Sequence, residues 1–128
     1  MNKLIIDAAN EKIFLMIITN ASIYNITHEN TKINYEKLTI IINDFLLSKN
    51  LKIADIGVIY INVGLGSFAG IRNSMSVVKA FNVAKNIDYY CYNLHDFKDE
   101  KDLSYENIPN LCKKYKIKKN LINPIYIS

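Results

Sequence analysis

Three extended runs open the chain, and their spacing constrains the fold more than any other feature. KLIIDAAN reads as a strand that ends at Asp7, with a turn at Asn10. KIFLMIITN (12–20) is apolar almost throughout, which suits a central strand covered on both faces. ASIYNITHEN (21–30) alternates well enough for a third strand. The connection at Asn20 and Ala21 is short, so the second and third strands are expected to form an antiparallel hairpin.

From residue 33 to 50 the period becomes helical. Tyr35, Leu38, Ile41, Ile42, Phe45 and Leu46 fall on one broad stripe, with Asn34 and Asn50 as the expected caps. DIGVIYINV (55–63) reads as a fourth strand and GIRNSMSVVKAFNVAKN (70–86) as a second helix. Ile71, Met75, Val78 and Phe81 make its inward stripe. DYYCYNL (88–94) completes a β-β-β-α-β-α-β order. A hairpin followed by two βα crossovers predicts an α/β fold with a mixed five-stranded sheet and helices against it. That is the order of a single ribonuclease-H-like lobe, shared by actin-like ATPase and sugar-kinase-like folds. The lobe is expected to span 1–97. Residues 98–128 are expected to supply a solvated linker (KDEKD), a short C-terminal helix with Asn107 as cap and Pro109 in its first turn, and an extended tail, NPIYIS.

At 128 residues, half of them hydrophobic and 22% charged, the composition suits one globular domain with a real core. The net charge of +4 and pI near 9.0 permit contact with RNA or an acidic partner. Much of that excess lies between Lys113 and Lys119, which reads first as a solvated basic stretch. Cys91 and Cys112 form neither a CxxC pair nor a zinc spacing, so a reducing compartment is expected. The first apolar run stops at Asp7, too short for a leader, and no run approaches the ~18 residues that span a bilayer. The expectation is a cytoplasmic protein that does not enter a membrane.

Three of the four glycines fall in one stretch, NVGLGSFAGIR (62–72), where a strand passes into a helix. Such a junction aims backbone N–H groups and the positive end of the helix dipole at one spot. A P-loop is excluded, because Gly70 is followed by Ile71 and Arg72 instead of Lys and Ser/Thr. GLGSFA satisfies GxGxxG/A, but it does not open the first βαβ unit and lacks the acid expected at the end of the next strand. Two readings stay open. Gly64 and Gly66 give a tight turn while Gly70 lets the helix start close to the sheet, or the loop makes an anion contact that another subunit completes.

NVGLGSFAGIRNSM resembles the GPGSFTGIR loop of the bacterial TsaB/YeaZ family, whose members assist threonylcarbamoylation of adenosine 37 in tRNA. Gly64, Gly66, Ser67, Phe68, Gly70, Ile71 and Arg72 fall in step with it. LIIDAAN is similar to the family's first strand, and NPIYIS to its closing segment. The sequence departs at Leu65, where the family usually has Pro, at Ala69, where it has Thr, and at Ala8 and Ala9, which replace hydroxyl residues. It also jumps from Leu94 through a charged linker to what resembles only the end of the second lobe. The resemblance implies a non-catalytic subunit with no cofactor of its own. Its partners would be the iron-dependent catalytic paralogue (TsaD-type) and a P-loop ATPase (TsaE-type), with tRNA engaged indirectly. Asp7, Gly64, Gly66, Ser67 and Arg72 would contact ATP or ADP only at a junction shared with another subunit, since one lobe cannot close a cleft. A homodimeric interaction module and a nucleotide- or phosphate-binding enzyme are the alternatives.

Other chemistry finds little support. A ribonuclease-H-like nuclease needs several carboxylates around two metal ions. Asp7 is suitably placed, but the fourth strand ends in Asn62, and Glu36 and Asp44 fall on the solvent side of their helix. His28 and His95 have no metal-ligand spacing. Cys91 reads as a buried inert thiol. Tyr89, Tyr90 and Tyr92 read as strand formers first, with a base-stacking platform as the alternative.

Each helix also carries a second apolar line. Ile40 and Leu47, seven apart, oppose the core stripe of the first. Asn73, Val77, Ala80 and Ala84 form a four-three-four seam of small residues on the second. Such faces either pack within the chain or mark a partner surface. The family resemblance points to the partner surface, because its members pair through the corresponding two helices.

Overall fold

The computed structural model describes residues 1–121 and the strand at 126–127. β1 (Asn2–Asp7), β2 (Lys12–Ile18) and β3 (Ile23–Glu29) form an antiparallel meander. The chain then runs through α1 (Lys32–Tyr35), α2 (Leu38–Ser48), β4 (Ile56–Asn62), a two-residue strand β5 (Gly66–Ser67), α3 (Phe68–Lys85) and β6 (Asp88–Tyr92). α4 (Ile108–Lys114) and β7 (Tyr126–Ile127) follow. The main sheet has the order β3-β2-β1-β4-β6, with β4 parallel to both β1 and β6, so it is mixed and five-stranded as expected.

Alternation along each strand sorts the side chains into two cores. Leu4, Ile6, Ile13, Leu15, Ile17, Ile59 and Ile61 pack against α2 and α3 through Ile42, Phe45, Leu46, Ile71, Val78 and Phe81. Ile5, Met16, Val58, Tyr60 and Tyr92 point the other way and meet Phe97, Ile108, Leu111 and Cys112. Each fully buried aliphatic or aromatic side chain contributes about 1.5–3 kcal/mol. Burial on both faces is why β2 reads as a nearly continuous apolar run.

Several local expectations are corrected. The helix expected over 33–50 breaks at Lys37, whose backbone leaves the helical region (φ −105°, ψ 20°). Thr31, not Asn34, caps the first piece, its Oγ1 accepting from the Asn34 N–H. The Asn34 amide donates to the Glu29 carbonyl at 2.9 Å. Asn50 does sit past the end of α2 with positive φ, 59°, and Asn86, expected as the last helical residue, takes the same left-handed position after α3 with φ 56°. α3 begins two residues before Gly70, capped by Ser67. Asn107 holds the expected N-cap position of α4, with Pro109 in the first turn, but its side chain makes no capping bond, its amide donating instead to the Asp102 carbonyl.

The charged run at 98–102 is tied down. The Tyr115 hydroxyl lies 2.8 Å from the Lys98 carbonyl and 2.9 Å from Glu100, and Lys114 also pairs with Glu100. Asn120 donates to the Tyr89 carbonyl and accepts from the Tyr89 N–H, covering the outer edge of β6. Among the described residues no helix is long and apolar enough to cross a membrane.

Candidate functional site

β1 and β4 run parallel, so their C-terminal ends bring Asp7 and Asn62 together at one edge of the sheet. Asp7 is 3% exposed. Its Oδ1 accepts from the Ala9 N–H at 3.0 Å, and its Oδ2 accepts from Asn62 Nδ2 at 3.1 Å and from the Tyr105 hydroxyl at 2.8 Å. The Asn10 amide stands 3.4–3.5 Å from both oxygens. Charge-assisted donors of this kind stabilise a buried carboxylate. Tyr105 comes from the turn before α4, and its ring stacks on Phe14 with centroids 3.8 Å apart. Burial, then the Asp7 charge, raise the Tyr105 hydroxyl well above its ordinary pKa. Burial likewise raises the neighbouring Tyr92 hydroxyl well above its ordinary value, and it has no hydrogen-bond partner.

The glycine loop is bound to this edge. Asn62 Oδ1 accepts from the Gly64 N–H, the Ala9 carbonyl accepts from the Ser67 N–H, and Ser67 Oγ accepts from the Gly70 N–H. β5, inside the loop, pairs in parallel with β7 from the tail. Three of the N–H groups available for an anion therefore donate to the protein itself. Gly66 and Gly70 serve close approach. No glycine has a positive φ. A Cβ at Gly66 would stand 2.3 Å from the Ala9 carbonyl oxygen, and one at Gly70 2.0 Å from that of Ala8. The turn-making role expected for Gly66 is thus corrected to packing against 8–9, and Gly70 has the close-packing role expected of it.

Outside the loop lies an open depression bounded by Ala9, Glu11, Asn30, Leu65 and Ser67. Leu65 and Phe68 are half-exposed, and Arg72 holds its guanidinium 5.8 Å from the Phe68 ring centroid. Asp7 and Arg72 are not brought together: one is sealed under Tyr105 and the other faces solvent. Tyr105 was not legible as a partner of Asp7, because the two are 98 positions apart. Among the described residues no three His, Cys, Asp or Glu side chains gather as a metal site. His95 is exposed and His28 half-buried.

The outer faces of α2 and α3 form a second candidate surface. Ile40 and Leu47 are each 58% exposed, and Val83 is 78% exposed. Ala80 and Ala84 are exposed on α3. Val77 is half-buried against the core, and the Asn73 amide donates to the Ala69 carbonyl of its own helix.

Sheet order, crossovers and the two buried faces define a ribonuclease-H-like fold. YeaZ from Pseudomonas aeruginosa matches it with a TM-score of 0.66 at 16% identity, over 72% of this chain and 43% of YeaZ. A second structure, described as an uncharacterized protein from Pseudomonas aeruginosa with similarity to peptidase YeaZ, matches equally. RuvC from Thermus thermophilus, in complex with a Holliday junction substrate, matches with a TM-score of 0.54 at 8% identity, over 96% of this chain and 83% of RuvC. The matched region thus spans less than half of the YeaZ chain. At these identities the likeness is one of fold, and the fold is YeaZ-like. No family model matches the chain, and no curated protein matches it in sequence.

Proposed function

We propose that this chain is a non-catalytic subunit of the TsaB type, supporting threonylcarbamoylation of adenosine 37 in tRNA by docking on a TsaD-type catalytic paralogue. The observation that carries the reading is the apolar outer surface of α2 and α3, with Ile40 and Leu47 each 58% exposed on a YeaZ-like fold. Large apolar side chains clustered on a polar surface mark a protein contact. The small residues Ala80 and Ala84 let a neighbouring helix approach closely. The enclosure of Asp7 supports the same reading, since its carboxylate holds the fold together and has little reach toward a substrate. A P-loop ATPase and tRNA belong to the same proposed assembly, and ATP or ADP would touch the exposed rim of the glycine loop only at a subunit junction.

Copurification with the paralogue tests the reading. Leu47→Glu and Ala80→Glu should each abolish pairing while the circular dichroism spectrum and melting temperature stay close to the parent's. Retained pairing in both variants places the interface elsewhere. A chain that forms only its own dimer, by sizing in the presence of the paralogue, is an interaction module outside this pathway. Turnover of a nucleotide by the isolated chain overturns the non-catalytic assignment.

A further inference from the structure

The sheet face opposite α2 and α3 carries a groove that the pairing surface does not use. Its larger part, about 490 Å³, lies between the sheet and α4, lined by Lys3, Tyr60, Tyr90, Lys113 and Lys116. Past Lys3 and Tyr90 it runs on into a hollow of about 180 Å³ that reaches Met1 and Asp88. Tyr60 and Tyr90 form its floor, their rings stacked 5.3 Å apart and within 13° of parallel. Tyr60 is 7% exposed, while Tyr90 is half-buried, and both line the groove.

The charges around this floor are unbalanced. The nearby carboxylates are already engaged: Glu100 by Lys114 and the Tyr115 hydroxyl, Asp88 by Lys119 at 3.4 Å and the Asn120 amide at 2.9 Å, and Asp96, which shares a hollow with Lys116, by the Asn93 N–H at 3.1 Å. Lys3, Lys113 and Lys116 form no ion pair among the described residues. Three ammonium groups outside any ion pair thus surround an aromatic floor in a groove longer than a single anion. An acidic peptide would satisfy the lysines and leave the ring unused, whereas a nucleotide uses both. We propose that this groove binds nucleotide phosphate, as a short single-stranded segment whose phosphates meet Lys3, Lys113 and Lys116 while a base stacks on Tyr90.

The full chain is titrated against fluorescein-labelled hexauridylate by fluorescence anisotropy at several salt concentrations, and against uridine monophosphate by calorimetry. Lys113→Glu/Lys116→Glu should weaken hexamer binding roughly ten-fold or more and reduce the salt slope by about 0.7 for each phosphate that is no longer neutralised. Tyr90→Leu, which stays apolar but removes the ring, should cost about ten-fold with the slope unchanged. Lys37→Glu/Lys79→Glu makes the same charge change away from the groove and should cost clearly less. Equal weakening by the two double variants would show that net charge alone attracts the strand and would overturn the site. So would an absence of binding to either probe at low salt. A hexamer much tighter than the monophosphate identifies a strand as the ligand. Equal affinities, both lost in Lys113→Glu/Lys116→Glu, identify a free nucleotide in the same groove. Thermal melts confirm that each variant is folded. Pairing with the paralogue is scored separately, so this site and the pairing surface stand or fall independently.

Discussion

The Tyr105 hydroxyl donates a 2.8 Å hydrogen bond to Asp7 Oδ2, joining the end of the first strand to the turn that introduces the last helix. The bond closes the sheet edge where β1 and β4 end, over a carboxylate that also holds Asn62 and the Ala9 N–H. It converts a position that could have faced a ligand into a buried tie between distant segments.

Tyr105→Phe keeps the stack on Phe14 and removes only that donor. The carboxylate keeps its other partners, so the expected loss is about 1.5–3 kcal/mol, the range for hydrogen bonds to charged groups. Tyr92→Phe gives the contrast. Its hydroxyl is buried without a partner, so removing it should leave stability unchanged or raise it slightly. Urea denaturation of both variants checks the pair. Equal losses would contradict the assigned bonding.

Gly70→Ala should be severely destabilising, by about 3 kcal/mol or more, since the new methyl would meet the Ala8 carbonyl oxygen at 2.0 Å and backbone has to move. Gly57→Ala should be mild, although its methyl would stand 2.4 Å from Met1 Cγ, because that side chain is flexible and can swing away. Thermal melts of the two variants distinguish backbone crowding from side-chain crowding.

Burial pushes both the Cys91 and Cys112 thiols up to about 12. The thiolate is the reactive form. In the native protein at pH 8, neither cysteine should react appreciably with iodoacetamide, and both should react once the chain is denatured. Mass spectrometry of the alkylated protein reads this directly.

Two depressed carboxylates anchor the C-terminal segment. The Asn120 amide chiefly, then the Lys119 charge, hold Asp88 below its usual 3.8. The bond from Lys114, then that from Tyr115, hold Glu100 below its usual 4.5. A group with a lowered folded pKa contributes stability that is present above its unfolded value and lost as pH falls through the folded one. Acid below these two values should therefore loosen residues 114–120 before the sheet opens. Hydrogen exchange followed from pH 7 down through the range below 3.8, corrected for intrinsic rates, should show protection falling first in that segment. Both groups are exposed, so added salt should shrink the difference.

Much of the fold was legible in the residue pattern. Alternation in β1, β2 and β3 and helical spacing in α2 and α3 are local properties, set by which side of an element each side chain leaves. They gave the element order, and the short connection at Asn20 and Ala21 gave the hairpin. The break at Lys37 escaped, because a helical stripe continues in phase across a one-residue departure. β5 escaped, and so did its pairing with β7 in the tail expected to be extended, because two-residue strands have no period and are made by pairing alone.

The sequence by itself determined the glycine-marked strand-to-helix junction, the apolar lines on the outer faces of two helices and the inward stripes that build the core. Each depends on neighbours within a few turns of chain. Only the tertiary structure decided what those features meet. It placed Tyr105 over Asp7, set the carbonyls of Ala8 and Ala9 against Gly70 and Gly66, and left Lys3 beside Lys113 and Lys116 over a tyrosine floor. Those contacts join residues brought together only when the sheet closes with both faces covered, and no period along the chain records them.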